Sequence, residues 1–503
     1  MRSHRNRTFM AAVAATAAVA AALVTTSTPA SADPTTAKGA AHAGTHPVRG
    51  WTTGPDQDGA TTTQLTATPA PATGTPDGTT VRVDPKNTFQ TVSGFGASLT
   101  DSSARVLYGL APDKRDQVMA DLFDPRTGDG TSFLRQPIGA SDFVQGPDYS
   151  LDDVPAGQTD FGMRHFSVAH DEKQILPLLR QAEKLNPKLQ IVATPWSPPA
   201  WMKTGDSMID GKLIDKPAVY QAYAAYLVKF VKAYAAEGVK VDYLTVQNEP
   251  QALNRDNYPG SDMSFEQESK VISALGPALK AAGLHTKILG YDHNWTEHPN
   301  DIAAHQAVGE DPEVNYPYDL LRSKAAKWIS GTAYHCYAGD ASAQTALRAS
   351  FPNEDIYETE CSGGDISTAI DSVNNWAKSV VYWNIALDEK HGPHQGGCGD
   401  CDGTVTVNSA TKDVTYTSQY YALGHFSRFV EPGAVRIASN AARNDASTTP
   451  VTTSAFVNPD RSTAVVVNNS AKTAEPVTVL AGGSSFTATL APGATATYTW
   501  PAA

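Results

Sequence analysis

Residues 218–250, AVYQAYAAYLVKFVKAYAAEGVKVDYLTVQNEP, hold the pattern that decides the fold. Apolar side chains recur at helical spacing over residues 219–234, which predicts a helix with one buried face. Gly238 is a typical helix stop, and the apolar run over residues 239–247 predicts a buried strand. The strand runs into Asn-Glu-Pro at residues 248–250, although glutamate is a poor strand residue and proline ends a strand ladder. A solvated turn would explain this ending, and so would a carboxylate placed for chemistry.

Other parts of the chain repeat this order of helix, breaker and strand. Asn186-Pro187 precedes the apolar run LQIVAT, and Gly331 precedes TAYHCY. Alternation of helices and strands implies a parallel sheet. Several such units between residues 93 and 425 predict an α/β fold of the (β/α)₈ TIM-barrel type, the catalytic domain. A doubly wound sheet is the alternative, but no G-x-G-x-x-G or P-loop follows any strand.

The regions on either side of the predicted barrel have a strand-rich pattern. Residues 426–503 contain short apolar runs separated by Gly and Pro turns, which predicts an antiparallel β-sandwich domain. Residues 47–92 are rich in Thr and Pro and are expected to contribute strands to this sandwich. Residues 33–46 are small and polar with nothing to bury, so we expect a disordered linker.

The N-terminus has the three-part layout of a secretory signal peptide. Three arginines precede an Ala/Val-rich run over residues 9–24, and Ala30-Ser31-Ala32 offers a cleavage site. A membrane anchor is disfavoured because the run is alanine-rich and shorter than a spanning helix needs. We therefore predict a signal peptide over residues 1–32 and a secreted, soluble protein without membrane insertion, which we expect to be a monomer.

The charge and the cysteines narrow the function classes further. A net charge of −13 argues against nucleic acid or anionic lipid as a partner. Cys398 and Cys401 form a C-x2-C pair, and export favours a small disulfide there over a metal site. Cys336 and Cys361 each lie beside a polar residue on an apolar strand. They are either buried thiols or a bridge between neighbouring strands.

Candidate catalytic residues lie at the ends of predicted strands, which is where TIM barrels build their active sites. Glu249 has this position, and so do aromatic and charged residues on other strands. A pair of glutamates with aromatic rings and sugar-binding polar groups predicts a glycan-cleaving site. Asn248 and Glu249 are adjacent, so they can serve one site only if the strand end bulges or turns. The other candidates are Arg135, Asp142, Trp196, His335, Tyr337, Glu358, Glu360 and Trp383.

Eight segments, in order, resemble glycoside hydrolase family 30, the glucosylceramidase-like enzymes. The segments are SGFGASLTDSSA, FLRQPIGASDF, TPWSPPAWMK, TVQNEP, YHCY, TECSGG, YWNIALD and YYALGHFSRFVEPGAVRI. The resemblance implies a barrel with an attached β-sandwich and hydrolysis with retention of configuration. It implies that Glu249 is the general acid/base and Glu360 the nucleophile. It also implies sugar contacts from Asp142, Trp196, Asn248 and Trp383, with His335 and Tyr337 near the nucleophile and Arg135 in support.

One segment departs from the family pattern. Residues 391–408, HGPHQGGCGDCDGTVTVN, lack a clear counterpart of the asparagine that closes the sugar site in the family. Relatives in the family act on glucosylceramide, β-1,6-glucan or xylosides, and this loop leaves the choice open. We predict a glucosylceramidase-like β-glucosidase as the first choice, with β-1,6-glucanase or β-xylosidase activity as alternatives. We also expect this loop and Trp295 to influence the aglycone.

No cofactor or metal is expected for this chemistry. A metal-dependent hydrolase is a competing hypothesis, but no H-E-x-x-H or similarly tight ligand spacing supports it. A non-catalytic glycan-binding protein is another, and the presence of both glutamates argues against it. The sequence therefore predicts a carbohydrate substrate cleaved by two carboxyl groups.

Overall fold

The computed structural model describes residues 46–55, 59–69, 78–253, 257–443, 445 and 447–502. The predicted signal peptide and residues 33–45 of the predicted linker lie outside the described residues. Within the described ranges, no helix has the length and hydropathy that a bilayer crossing requires.

Strands and helices are numbered in chain order. The strands are β1 (Pro47–Thr53), β2 (Ala60–Thr66), β3 (Thr68–Pro69), β4 (Thr79–Thr91), β5 (Gly94–Ala97), β6 (Phe133–Pro137), β7 (Gln190–Thr194), β8 (Tyr243–Leu244), β9 (Lys287–Asn294), β10 (Ile329–His335), β11 (Ile356–Glu360), β12 (Ser379–Tyr382), β13 (Ala386–Asp388), β14 (Val405–Val407), β15 (Val414–Tyr416), β16 (Val435–Arg443), β17 (Val451–Val457), β18 (Thr463–Asn469), β19 (Glu475–Ala481), β20 (Ser484–Leu490) and β21 (Thr495–Trp500). The α-helices are α1 (Asp101–Tyr108), α2 (Pro112–Phe123), α3 (Ile175–Leu185), α4 (Pro217–Ala236), α5 (Phe265–Ala281), α6 (Pro299–Val308), α7 (Tyr316–Arg322), α8 (Ser342–Ser350), α9 (Ile366–Asn374) and α10 (Ser418–Ser427). Three 3₁₀ turns cover Asp171–Lys173, Ala200–Met202 and Ala326–Trp328.

Strands β5 to β12 form the predicted barrel. Strands β6 to β11 pair in chain order, all parallel, and β12 pairs with β5. Single bridges from Ser98 to Arg135 and from Cys361 to Tyr382 link these two sheets. Each strand from β6 to β12 contributes one buried side chain to a central layer, and these are Phe133, Val192, Tyr243, Leu289, Ala333, Tyr357 and Val381. The α/β barrel expected from the alternating pattern is confirmed.

The second structural layer is a mostly antiparallel sheet with its own core. Its ten strands have the order β2-β1-β21-β18-β17-β16-β4-β19-β20-β3, and only β4 and β19 run parallel within it. Val81, Val465 and Tyr498 belong to a core cluster that is distinct from the barrel core. The strands before the barrel therefore complete a sheet built mainly by the strands after it.

His425 on α10 contacts this sheet through hydrogen bonds and a ring contact. Its ring lies within 2.9 Å of the hydroxyl oxygens of Thr53 on β1 and Thr497 on β21, and 4.5 Å from the Trp51 ring. Burial lowers the pKa of His425 to about 3, so this histidine is neutral and its role is structural.

Candidate active site

Glu249 stands on a turn at the C-terminal end of β8. The strand is shorter than predicted: it covers only Tyr243–Leu244, the Thr245 N–H still donates to the Ala193 carbonyl at 3.1 Å, and the chain bends at Val246. Glu249 has a left-handed backbone with φ 45°, and its N–H donates to the Asp292 carbonyl at 3.0 Å. The preceding N–H, of Asn248, donates to the Pro195 carbonyl at 2.8 Å. This turn, a conformation that non-glycine residues rarely adopt, brings adjacent side chains to one site.

Glu360 ends β11 and is held by two donors. The Tyr337 hydroxyl donates to Oε1 at 2.8 Å, and the Arg135 guanidinium donates to Oε2. Glu360 is only 5 % exposed, so both contacts are largely shielded from water. Such charge-assisted bonds fix a carboxylate more strongly than neutral ones do.

Arg135 and Asp292 form the buried charged base of the site. Arg135 Nη2 donates to Asp292 Oδ2 at 2.9 Å and to Asn248 Oδ1 at 2.7 Å. Asp292 also accepts the hydroxyls of Thr245 at 2.8 Å and Thr359 at 2.7 Å. Burial alone would raise the pKa of Asp292, but the Arg135 charge together with His335 and Thr359 outweighs it, and the pKa falls well below its usual range. Asp292 is therefore a buried anion.

His335 links both glutamates to this base. Its Nδ1 lies 3.2 Å from Glu249 Oε1 and 3.9 Å from Glu360 Oε1, and its Nε2 lies 3.1 Å from Asp292 Oδ1. Burial acts to lower the pKa of His335, but the Glu360 charge and the bonds to Asp292 and Glu249 outweigh it and raise the pKa to about 10. At neutral pH His335 is thus an imidazolium that donates from both nitrogens.

Asp292 is a site residue that the sequence analysis missed. It stands near the end of β9 after the apolar residues Ile288 to Tyr291, which is the position that identified Glu249 and Glu360. The strand-end rule applied to the segment YDHN would have selected it.

The site opens into a cleft of about 780 Å³. Five of the nine predicted catalytic and substrate-binding residues line it, namely Asp142, Glu249, Tyr337, Glu360 and Trp383. The remaining four lie beneath its surface, namely Arg135, Trp196, Asn248 and His335, each no more than 2 % exposed. The structure therefore brings all nine to one end of the barrel but divides them into a lining and a supporting layer.

Trp196 belongs to the supporting layer. Its ring stacks on that of Trp383 with centroids 5.0 Å apart, and the Arg135 guanidinium lies 4.9 Å from its centroid on another side. Trp383 alone of the two lines the cleft. Trp196 thus packs against Trp383 and Arg135, and the sugar contact that the resemblance implies for it stays a prediction.

Glu358 lies two residues before Glu360 on β11. It is fully buried and accepts the Val381 N–H at 3.0 Å. Burial raises the pKa of Glu358 to about 8. A group that is closed off from the cleft cannot touch a substrate, so Glu358 has a structural role.

Asp142 lines the cleft together with the two glutamates. Burial, followed by the charges of Glu360 and Glu249, raises the pKa of Asp142 well above its usual range. Among the residues that the structure describes, none bonds to its Oδ1. A buried carboxyl oxygen without a partner on a cleft wall is suited to bind a ligand hydroxyl.

Two disulfides lie at the cleft. Cys398–Cys401 closes the loop after Trp383, as the spacing predicted. Cys336–Cys361 joins the ends of β10 and β11, which decides between the two alternatives for that pair. It ties the residues next to Tyr337 and Glu360 together.

Trp295 does not reach the cleft. It lines a separate hollow of about 290 Å³ with Tyr318 and Tyr334. The expectation that Trp295 contacts the aglycone therefore has no support in the geometry.

Three groups of acids and histidines bring ligand-type atoms within 4.8 Å of one another: Glu249–His293–His335, Asp262–His305–Glu310 and His293–Glu297–Asp301. In the first group, His335 is already bonded to two carboxylates. In the second, the Lys212 ammonium lies 3.0 Å from Asp262 and 2.6 Å from Glu310. Charged side chains of the protein itself therefore already pair with members of these two groups.

Known proteins match this chain over the same two domains. Residues 92–369 match the Glycosyl hydrolase family 30 TIM-barrel domain, and residues 433–498 match the Glycosyl hydrolase family 30 beta sandwich domain. The endo-1,6-beta-D-glucanase BGN16.3 of Trichoderma harzianum is 35 % identical, covering 76 % of this chain and 78 % of its own. The lysosomal acid glucosylceramidase of Mus musculus is 30 % identical over 84 % of each chain. The solved endo-beta1,6-glucanase BT3312 superposes with a TM-score of 0.79 at 31 % identity, over 91 % of this chain and 99 % of its own.

Proposed function

This chain belongs to glycoside hydrolase family 30, whose members are retaining glycosidases, and we propose that it hydrolyses β-D-glucosyl linkages of β-1,6-glucan. One observation carries the two-glutamate mechanism in this proposal: Glu249 and Glu360 each place a carboxyl oxygen within 3.9 Å of the same nitrogen, His335 Nδ1. This keeps the carboxyl groups closer than most of the range of inverting enzymes, about 6.5 to 9.5 Å. In retaining enzymes the two carboxyl groups are about 5 to 5.5 Å apart.

The first chemical step joins the sugar to the enzyme. Ionised Glu360 attacks the anomeric carbon while Glu249 gives its proton to the leaving oxygen, so the glycosidic bond breaks as the ester forms. In the second step Glu249 takes a proton from water, and the water oxygen displaces Glu360. The first inversion is thereby cancelled and the product keeps its β configuration.

The surrounding groups prepare the two glutamates for different roles. Arg135 and Tyr337 donate to Glu360, which holds the attacking carboxylate in a fixed orientation. His335 donates to Glu249 Oε1, which leaves the proton of Glu249 on the other oxygen. A protonated acid with one oxygen held in this way presents its proton in a fixed direction.

The inner end of the cleft suits a glucosyl unit. Trp383 offers an aromatic face, and the carboxyl group of Asp142 offers a hydrogen-bond partner for a hydroxyl. Pyranose rings bind through this combination of apolar faces and directed hydrogen bonds. We assign the cleaved β-D-glucosyl unit to this end.

The outer end of the cleft favours a glucan over glucosylceramide. Its walls are mostly polar, with Asn257, Ser362, Asp400 and Asp402 among the lining residues. Alkyl chains would bury these groups without hydrogen bonds, which is unfavourable, whereas sugar hydroxyls supply such bonds. The similarity to two endo-β-1,6-glucanases supports the same choice. Glucosylceramide, the first expectation from the sequence, becomes the second candidate.

A substrate panel tests the proposal. We expect β-1,6-glucan to be cleaved faster than aryl β-xyloside, glucosylceramide or glucuronoxylan, with the β-anomer as the first product by NMR. Preference for xyloside or glucuronoxylan would overturn the glucose assignment, and no turnover of an aryl β-glucoside would favour a glycan-binding protein. Loss of activity after chelation would favour a metal-dependent hydrolase.

We also propose that the protein is exported, on the basis of the N-terminal pattern over residues 1–32. Sequencing the protein recovered from culture medium should give an N-terminus at Asp33. A full-length chain retained in the cells would contradict export. Light scattering of the recovered protein would test the expected monomer.

A further inference from the structure

The outer rim of the cleft is built where two loops meet. Asn257 and Tyr258 belong to the loop that follows Glu249, and the second loop is the disulfide-closed segment after Trp383. The Asn257 amide donates to the Gln395 carbonyl at 2.9 Å, which ties the loops together. Tyr258 packs with Cys398 against the cluster that contains Trp383 and Cys401.

The close contact between these two loops requires a glycine at position 396. A methyl group built on Gly396 would lie 2.3 Å from Asn257 Oδ1 and 2.6 Å from Tyr258 Cδ1. Both distances are shorter than van der Waals contact, so any side chain at this position would push Asn257 and Tyr258 away. Gly399, three residues further along the same loop, has no heavy atom within 4 Å of the corresponding methyl position.

Further contacts hold the disulfide loop in one conformation. The Gln395 N–H donates to the Asp142 carbonyl at 3.0 Å, and His391 lies 3.0 Å from Asp402 Oδ1. The disulfide partner Cys401 is only 2 % exposed. A rim held in this way does not have to be ordered when a ligand binds, which favours affinity.

Tyr258 follows Glu249 in the connection between β8 and α5, and both line the cleft, which is the basis for assigning the rim to the acid's side of the reaction centre. The oxygen that Glu249 protonates belongs to the leaving group, so the group beyond that oxygen meets this rim. An aromatic ring beside exposed carboxylates is a sugar-binding combination, since the ring contacts C–H groups and the carboxylates accept hydroxyl hydrogens.

Building on the proposed function, we propose that Tyr258, Asp400 and Asp402 form the subsite for the sugar unit on the leaving-group side of the cleaved bond. The ligand of this subsite is a neutral, hydroxyl-rich hexose. The two carboxylates would repel a uronic acid at the same position. This subsite makes the enzyme selective for glycan leaving groups.

Two variants and a matched control test the subsite. Tyr258→Ala removes the ring, Gly396→Ala displaces it, and Gly399→Ala adds the same methyl group where there is space. Each is assayed on a β-1,6-linked glucotriose and on β-D-glucosyl fluoride, whose single-atom leaving group cannot reach the rim. We expect the ratio of kcat/KM for the trisaccharide to that for the fluoride to fall about tenfold or more in both variants. The control should keep the wild-type ratio.

A second readout separates binding from a purely structural role. An added β-1,6-linked glucobiose should intercept the glycosyl enzyme by binding to the same subsite, and Tyr258→Ala should lower the yield of transfer product relative to hydrolysis. Equal losses on both substrates, or an unchanged transfer ratio, would overturn the subsite. A wild-type enzyme that cleaves the fluoride but no β-1,6-linked oligosaccharide would instead overturn the proposed function.

Discussion

Replacement of Asp292 by asparagine probes the buried charged base most directly. The carboxylate accepts four hydrogen bonds, from Arg135 and Thr245 on one oxygen and from His335 and Thr359 on the other. An asparagine has one acceptor oxygen and one NH₂ group, so its amide must face two donors on one side. The substitution also removes the negative charge that Arg135 and the imidazolium share.

The expected loss of stability follows from burial. Arg135 and Asp292 are both completely buried, so the cation cannot turn to water when its partner becomes neutral. Removing one partner of a buried ion pair costs about 3–5 kcal/mol. With an unfolding entropy of about 2.1 cal/mol/K per residue, summed over a chain of this length, this loss of stability corresponds to a fall in Tm of about 3–5 °C.

Thermal unfolding at neutral pH measures the effect, with the exposed Asp84→Asn as the control. The pKa of Asp292 is lowered on folding, so its contribution is present above the unfolded pKa of about 3.9 and is lost as the pH falls below it. The difference in Tm between wild type and Asp292→Asn should therefore become smaller as the pH is lowered into the acid range. A variant whose Tm stays within 1 °C of wild type at pH 7 would refute the reasoning.

Three further predictions concern other parts of the chain. Glu249→Gln should reduce hydrolysis of β-1,6-glucan about 10²- to 10⁴-fold and spare activated aryl glucosides far more, and equal losses would exclude Glu249 as the acid. Burial raises the pKa of Glu358 to about 8, so its unfavourable contribution grows as pH rises from about 4 to 8. Glu358→Gln should therefore raise the urea midpoint at pH 8 but not at pH 4, and a constant difference would contradict this. Replacing Cys398 and Cys401 by serine should cost about 2 kcal/mol or less in urea unfolding, because the closed loop is short, and a larger cost would mean that the disulfide supports more than its loop.

Sequence patterns predicted which helices and strands form better than they predicted where each one begins and ends. Helix α4 begins at Pro217 and ends at Ala236, close to the apolar periodicity over residues 219–234. The strand expected over residues 239–247 is only Tyr243–Leu244. An apolar run shows that a segment is buried, but it does not show where long-range contacts turn the chain toward the site.

The same limit applies to the site residues. All nine predicted catalytic and binding residues meet at one end of the barrel, because parallel strands end on the same side. Which of them reach the cleft depends on packing between strands that are distant in sequence, as the burial of Trp196 beneath Trp383 illustrates. The Cys336–Cys361 bridge also depends on the register of two strands, which neither segment encodes alone.

Trapping the covalent intermediate tests the central claim, that Glu360 is the nucleophile. A 2-deoxy-2-fluoro-β-D-glucosyl fluoride should inactivate the enzyme, since the 2-fluorine slows both steps while the reactive fluoride leaving group speeds the first, so that the glycosyl enzyme accumulates. Peptide mass spectrometry of the inactivated protein should then locate one fluoroglucosyl group on Glu360. A label on another residue would contradict the account, and so would full turnover of the reagent without any labelled peptide.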